Sequence, residues 1–333
     1  MPRFNRRHVI AGAIAGTGAL ATAAAVPLSA QAPQANLKGK AILVTGTSSG
    51  FGRLGALLYA RAGAKVFATM RNLPRPQADE LREIDRTEKL DLTVLELDVT
   101  SDASVTRAIA EAERLSDGAL DVLVNNAGVN LFGPVELQDM AAMQLSFDTN
   151  VFGPQRTARA ALPAMRARKA GLIVNVSSQQ GRVIRPDSGV SSATKFALEA
   201  LSEQLAYELV PHGIEVVIIE PGGFPTNIGH NRAVLTQALA ARIDEERAAA
   251  YPELVKAMRT MPRGTTWPGA PDPLMVPLAI AEIAAMAPGT RPLRRAVSGS
   301  AKPQSKINEV CRETQLAWLG DTPFGPWVRD VLD

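Results

Sequence analysis

The sequence predicts an α/β fold, a doubly wound parallel sheet with helices on both faces. Three observations carry that expectation. Short apolar runs rich in branched residues recur between amphipathic segments, the first run ends in a glycine-rich turn, and 46% of the 333 residues are hydrophobic. Continuous apolar strands are those buried on both faces. Right-handed crossovers between parallel strands then wind the sheet in both directions, with ligands beyond the carboxyl ends of its strands.

The first strand is AILVTG (41–46), an apolar run between glycines. A helical pattern follows over about 52–62, then the strand AKVFATM (64–70), a helix near 77–89, the strand TVLELDV (93–99) and a helix near 102–115. DVLVNNAG (121–128) is the fourth strand. The region 138–168 reads as a long helix in which Pro154 and Pro163 mark breaks. GLIVNVSS (171–178) is the fifth strand, GVSSATKFALEAL (189–201) opens a helix, and IEVVIIEPG (214–222) is the sixth strand. Further on, helical patterning near 233–250 and an apolar helix near 274–286 flank a Pro- and Gly-rich loop, MPRGTTWPGAPDP (261–273), and LRRAVSG (293–299) adds a last strand. Leu254, Met258, Met261 and Trp267 are read either as a cover over an apolar substrate or as ordinary core.

The N-terminus reads MPRFNRRHVIAGAIAGTGALATAAAVPLSAQA. A short basic region followed by a weakly apolar run of alanines and glycines is an export-signal pattern. Residues 1–30 are therefore read as a signal, with Ala30 a possible cleavage position, and residues 31–38 as a linker. Arg6 and Arg7 before His8, Val9 and Ile10 resemble a twin-arginine signal, although Asn5 stands where Ser or Thr is more usual. The expectation is a periplasmic or otherwise exported protein with no stable membrane span after processing. A retained anchor or a cytoplasmic protein are the alternatives; Val9 to Val26 is near the lower limit for a span, and its glycines make it a poor one.

The formal charge of +3 comes from that terminus. Removing Arg3, Arg6 and Arg7 from the 36 basic residues leaves 33, equal to the 33 acidic ones. A neutral body gives no electrostatic case for a nucleic-acid partner. The single cysteine, Cys311, excludes an internal disulfide and a cysteine-based zinc cluster, and no metal site is read.

The turn TGTSSGFG (45–52) holds Gly46, Gly50 and Gly52, with Ser49 and Phe51 between them. Glycines here let the backbone turn sharply and approach a pyrophosphate, which lies at the positive N-terminus of the next helix. Asn125-Asn126-Ala127-Gly128 ends the fourth strand, Ser178 ends the fifth, and Lys195 follows on a helix. Together these motifs resemble the short-chain dehydrogenase/reductases, from about Lys38 to Thr226. The resemblance implies a Rossmann-type cofactor core over 39–226, and a substrate lid and C-terminal extension of the same domain over 227–333. It implies that Asp98 and Val99 contact adenine, that Asn126, Ala127 and Gly128 form a structural turn beside the cofactor, and that Pro221, Gly222 and Thr226 hold the nicotinamide amide. It also implies a homodimer or tetramer.

Catalysis in that family uses Asn, Ser, Tyr and Lys, with Tyr four residues before Lys and thirteen after Ser. Asn150, Ser178 and Lys195 match; both spacings lead to Ser191, a serine where the tyrosine belongs. A serine hydroxyl is a much weaker acid than a phenol and shorter by a ring. Of the three tyrosines, Tyr59 and Tyr207 fall within helices away from the site, and Tyr251 is the third. No nearby residue is an obvious substitute; His230, just past Thr226, is the one that could approach from the lid. At the second strand end, ATMRN (68–72), relatives that bind NAD place an acid; here Met70 and Arg71 stand there. A guanidinium suits a 2′-phosphate, so NADP is expected over NAD. The expected function is an NADP-dependent oxidoreductase acting on an apolar alcohol or ketone, with an impaired or altered proton relay. The alternative is a protein that binds a nicotinamide cofactor without turning it over.

Overall fold

A computed structural model of the protein describes residues 35–264 and 266–333. The expected export signal and the start of the linker lie outside the described residues. Residues 35–333 form one compact unit built on a seven-stranded sheet in the order β3-β2-β1-β4-β5-β6-β7. The strands are β1 (Ala41–Thr45), β2 (Lys65–Met70), β3 (Leu92–Glu96), β4 (Val122–Asn125), β5 (Gly171–Val176), β6 (Ile214–Pro221) and β7 (Arg294–Val297). Every pairing is parallel.

The burial explains the sequence pattern. Successive side chains of a strand point to opposite faces, and in β1 both faces are covered. Ile42 and Val44 join one apolar cluster with Ala56 and Leu57 of α1 (Gly50–Arg61), Leu81 of α2 (Pro76–Glu88) and Ile280 of α10 (Met275–Ala285). Ala41 and Leu43 join the other, under Val105 and Ile109 of α3 (Asp102–Leu115), Ala158 and Met165 of α5 (Gly153–Arg168), Ala206 and Leu209 of α6 (Val190–Leu209) and Val328 of α12 (Gly325–Leu332). A third, smaller cluster forms where Leu131, Leu137 and Ala142 meet Leu239 of α7 (Ile228–Ala240) and Val255 and Met258 of α9 (Pro252–Arg259).

Several elements differ from expectation. The region 138–168 is α4 (Met140–Phe147), a π-helical turn over Asp148–Phe152, and α5. Pro154 sits in the first turn of α5, where its missing N–H is harmless, and Pro163 lies inside α5 without ending it. The pattern at 233–250 divides into α7 and α8 (Glu245–Ala250), with Asp244 capping α8 through the Arg247 amide. Helices α9, α11 (Gln304–Leu319) and α12 were not expected. On α11 only Gln304 is fully buried, and Ile307, Val310 and Trp318 are exposed, so its face carries no clean apolar stripe. Among the described residues no helix is long and apolar enough to cross a membrane.

Candidate active site

The glycine turn closes over the fourth strand end because backbone meets backbone there. Gly46 has φ +72°, and a Cβ on it would lie 2.9 Å from Ala127 Cα. A Cβ on Gly52 would lie 2.4 Å from the Gly46 carbonyl oxygen and 2.5 Å from Asn126 Nδ2. Asn126 Nδ2 donates to the Thr45 carbonyl at 2.8 Å, while the Asn126 and Ala127 amides donate to Thr45 Oγ1 at 2.9 and 3.0 Å. These bonds end β4 and lock the two turns together.

The loop after β6 folds onto the same turn. Gly222 donates to the Val297 carbonyl at 2.8 Å, Thr226 packs against Gly50, and Phe224 stacks edge-on to Phe51 at 5.4 Å. Between them lies a cavity of about 410 Å³ lined by Ser48, Ser49, Gly50, Arg53, Pro225 and Thr226, among others. Ser49 is the N-cap of α1 but its side chain makes no capping bond, so the first-turn amides of this 12-residue helix stay open to a ligand. A cavity at uncapped amides fits a dinucleotide pyrophosphate.

Asp98 accepts from the Thr100 amide and hydroxyl at 3.0 and 2.8 Å through one oxygen only. Val99 beside it is buried against Gly153. Met70 points into the core, so Arg71 is the side chain that the second strand end presents to solvent.

Asn150 is buried in the π-helical turn. Its Oδ1 accepts from the Val129 amide at 2.8 Å, and its Nδ2 donates to the Val129 carbonyl at 2.9 Å and Thr194 Oγ1 at 3.0 Å. A Cβ on Gly128 would lie 3.3 Å from Asn150 Oδ1. Ser178, past the end of β5, accepts from the Gln180 amide at 3.1 Å, which leaves its own proton free. Lys195 donates to the Val176 carbonyl at 2.8 Å. Burial pushes its ammonium down to about 8, against the pull of the Glu199 carboxylate one turn on.

Ser191 is buried and its hydroxyl is taken. It accepts from the Leu131 amide at 3.1 Å and donates toward Asn130 Oδ1 at 3.0 Å or the Leu131 carbonyl at 3.3 Å. Tyr59 is buried in α1, Tyr207 bonds Glu203, Tyr251 bonds Glu136, and His230 is exposed on α7.

One group near the site escaped the sequence reading. Arg294 of β7 reaches Glu199 and Glu203 of α6 at 2.9 and 2.6 Å and Glu220 of β6 at 3.7 Å. Asn308 of α11 donates to both oxygens of Glu220, at 3.0 and 2.7 Å. Burial, then the neighbouring Glu199, pushes Glu220 up to about 7, against Asn308, Arg294 and Arg182. Acids spaced four apart on a helix usually face water, so only β7 packing beside β6 reveals the cluster.

Comparison with known proteins agrees with this architecture. The chain is 37% identical over 193 residues to a 3-ketodihydrosphingosine reductase of Bacteroides thetaiotaomicron, 58% of this chain and 67% of that one. It is 41% identical over 186 residues to bovine retinol dehydrogenase 8, covering 55% and 58%. The chain thus spans about three fifths to two thirds of the length of these relatives. A crystal structure of a short-chain dehydrogenase from Streptomyces avermitilis superposes with a TM-score of 0.62 at 31% identity, covering 84% of this chain and 96% of that one. A gluconate 5-dehydrogenase from Burkholderia cenocepacia, in complex with NADP and tartrate, superposes at 0.55 with 28% identity over 68% and 92%. The short chain dehydrogenase family model matches residues 40–234. With that match over more than half its length, the chain belongs to the short-chain dehydrogenase family.

Proposed function

We propose that this protein is an NADP-dependent oxidoreductase acting on an apolar alcohol or ketone, with a proton relay altered by Ser191. The observation that carries the second half is the saturation of the Ser191 hydroxyl by Asn130 and Leu131. A serine has one proton to donate, and here it is turned to the loop after β4, not to a substrate.

Residues 39–226 serve as the cofactor core and 227–333 as the lid. Gly46, Ser49, Gly50, Phe51 and Gly52 hold the pyrophosphate at the N-terminus of α1, and Asp98 and Val99 take the adenine. Asn126, Ala127 and Gly128 back the nicotinamide ribose, and Pro221, Gly222 and Thr226 hold the carboxamide. Arg71 pairs with the 2′-phosphate, which selects NADP over NAD. NADP bound there supplies the hydride acceptor, and its reduced form the donor. Ser178 donates its free proton to the substrate oxygen, Lys195 holds the ribose hydroxyls, and Asn150 fixes the Val129 backbone and Thr194 beside Lys195. The apolar substrate is supported by the cluster under the lid and by the apolar compounds named in the two relatives. Met258 is core, whereas Leu254 and Trp267 are exposed.

The second reading, a cofactor-binding protein without turnover, also follows from the saturated Ser191. Hydride transfer from NADPH to a panel of aliphatic ketones separates the two. Turnover by the chain as it stands supports the enzyme; NADPH binding without turnover, restored in Ser191→Tyr, supports the second reading.

The assembly is a homodimer or tetramer, which light scattering tests; a monomer across the working concentration range refutes it. The protein is exported through a twin-arginine signal, folded and cofactor-loaded. Replacing Arg6 and Arg7 by Lys should retain it in the cytoplasm, and unchanged fractionation refutes export by that route.

A further inference from the structure

Among the described residues, Arg232 of α7 has no hydrogen-bonded or ion-pair partner for its guanidinium Nε. Its Nε is buried and meets no hydrogen-bond acceptor, and among the described residues its guanidinium joins no ion pair. A buried charged donor left unbonded is expensive, and folded proteins rarely keep one without use. The charges around it do not compensate. Asp187 is the nearby acid, but it already pairs with Arg185. Two guanidiniums around one carboxylate leave a net positive charge. Burial first, then Arg185, lowers Arg232 from the ordinary arginine range, with Asp187 opposing.

The position matters as much as the charge. Thr236, one turn along α7 and on the same face as Arg232, accepts from the Phe132 amide at 3.0 Å. The adjacent Leu131 amide donates to Ser191 Oγ at 3.1 Å. Gly133, next in the chain, donates to the Asp187 carbonyl at 3.2 Å. Arg232 therefore stands one helical pitch, about 5.4 Å, from where the lid touches the Ser191 loop. The segment carrying Arg185 and Asp187 runs directly into Gly189 and Ser191. Helix α7, the segment carrying Asp187, and Ser191 all bond to one stretch, Leu131–Gly133.

We infer that Arg232 is an anion receptor beside the Leu131–Gly133 stretch that holds Ser191, and that the substrate is an aliphatic hydroxy or keto acid whose carboxylate it binds. The inference rests on the oxidoreductase reading for what happens at the other end of the substrate. The charge excess is single, and a planar guanidinium takes a carboxylate through two parallel bonds. A monoanion on an aliphatic body meets both that cation and the apolar cluster under α7 and α9.

The test is calorimetric titration of octanoate and octanamide into the full chain loaded with NADPH. These probes share shape and differ in charge. Octanoate should bind more tightly by roughly 10- to 100-fold, the usual range for a bond to a charged group. Arg232→Gln should remove that preference and leave octanamide affinity unchanged; Arg232→Lys should keep part of it. Equal affinities in the unaltered protein, no octanoate binding, or a preference that survives Arg232→Gln would each overturn the inference. NADPH affinity is read separately on the same samples. Absent NADPH binding with the carboxylate preference intact would defeat the oxidoreductase reading and leave this one standing.

Discussion

The Ser191 hydroxyl lies 3.0 Å from Asn130 Oδ1, and the same oxygen accepts from the Leu131 amide. Asn130 and Leu131 belong to the loop that follows the NNAG turn, so Ser191, which the proposed reading puts at the proton-donor position, clasps that loop to α6. A clasp and a proton donor are different duties for one hydroxyl. Ser191→Tyr should therefore raise hydride transfer by roughly 10²–10⁴-fold, the usual contribution of a positioned acid or base. The gain should disappear when Lys195 is also changed to Met, because the phenol would lose its neighbouring cation. NADPH affinity should stay nearly constant in Ser191→Tyr alone, since its effect falls on the transition state. Single-turnover kinetics with an aliphatic ketone measures all three. A tyrosine variant slower than the serine protein would mean that another proton route operates.

Cofactor choice is tested at the end of β2. Among the described residues Arg71 is exposed with no acid in hydrogen-bonding contact, and Met70 beside it is turned into the core. NADPH should bind more tightly than NADH, and Arg71→Ala should narrow the gap by about tenfold or more, the scale of one charged hydrogen bond. Equal affinities before the substitution would remove the assignment.

Gly52 offers a test of the turn itself. An added methyl would meet the Gly46 carbonyl at 2.4 Å and Asn126 Nδ2 at 2.5 Å. Backbone stands on one side, so relief requires the Asn126 amide to leave the Thr45 and Gly46 carbonyls. Gly52→Ala should cost about 1–3 kcal/mol of stability, in the range of overpacked interiors, and weaken NADPH binding. Denaturant unfolding reads the first, and a variant as stable as the parent would contradict the packing argument.

The acid cluster predicts a dependence on pH. Glu220 holds its proton up to about pH 7 in the folded chain, against an ordinary 4.5. Between those values the folded state binds more protons than the unfolded one, so this group's contribution falls as pH rises from 4.5 to 7. The fall is up to about 3 kcal/mol, from the difference of the two values. Glu220→Gln, which can still accept from Asn308, should flatten the stability profile over that window. An unchanged profile would place the titration on another group of the cluster.

The sheet was readable because its cause is local. Each strand is a short apolar run buried on both faces, and glycine, asparagine or serine marks where it ends, so β1, β2, β4, β5 and β6 follow from composition alone. The same holds for the site motifs, whose glycines and asparagines are there for backbone reasons. Boundaries were less certain. The long helix expected at 138–168 holds a π-helical turn at Asn150, whose side chain bonds Val129 and Thr194, and no spacing reports either.

Other features exist only once distant segments meet. Arg294 lies 91 and 95 residues from the acids it joins, and Glu220 is reached from α11 across 88. In the sequence these are ordinary charged residues of a helix and two strand ends. Ser191 and its spacing from Ser178 and Lys195 could be seen in the chain, but its partners in the 130–131 loop could not. Arg232 was one arginine among many until α7 folded over the Ser191 loop. Local backbone preference and apolar period are written residue by residue, whereas burial and charge pairing depend on what the fold brings alongside, and these decide the chemistry of Ser191, Glu220 and Arg232.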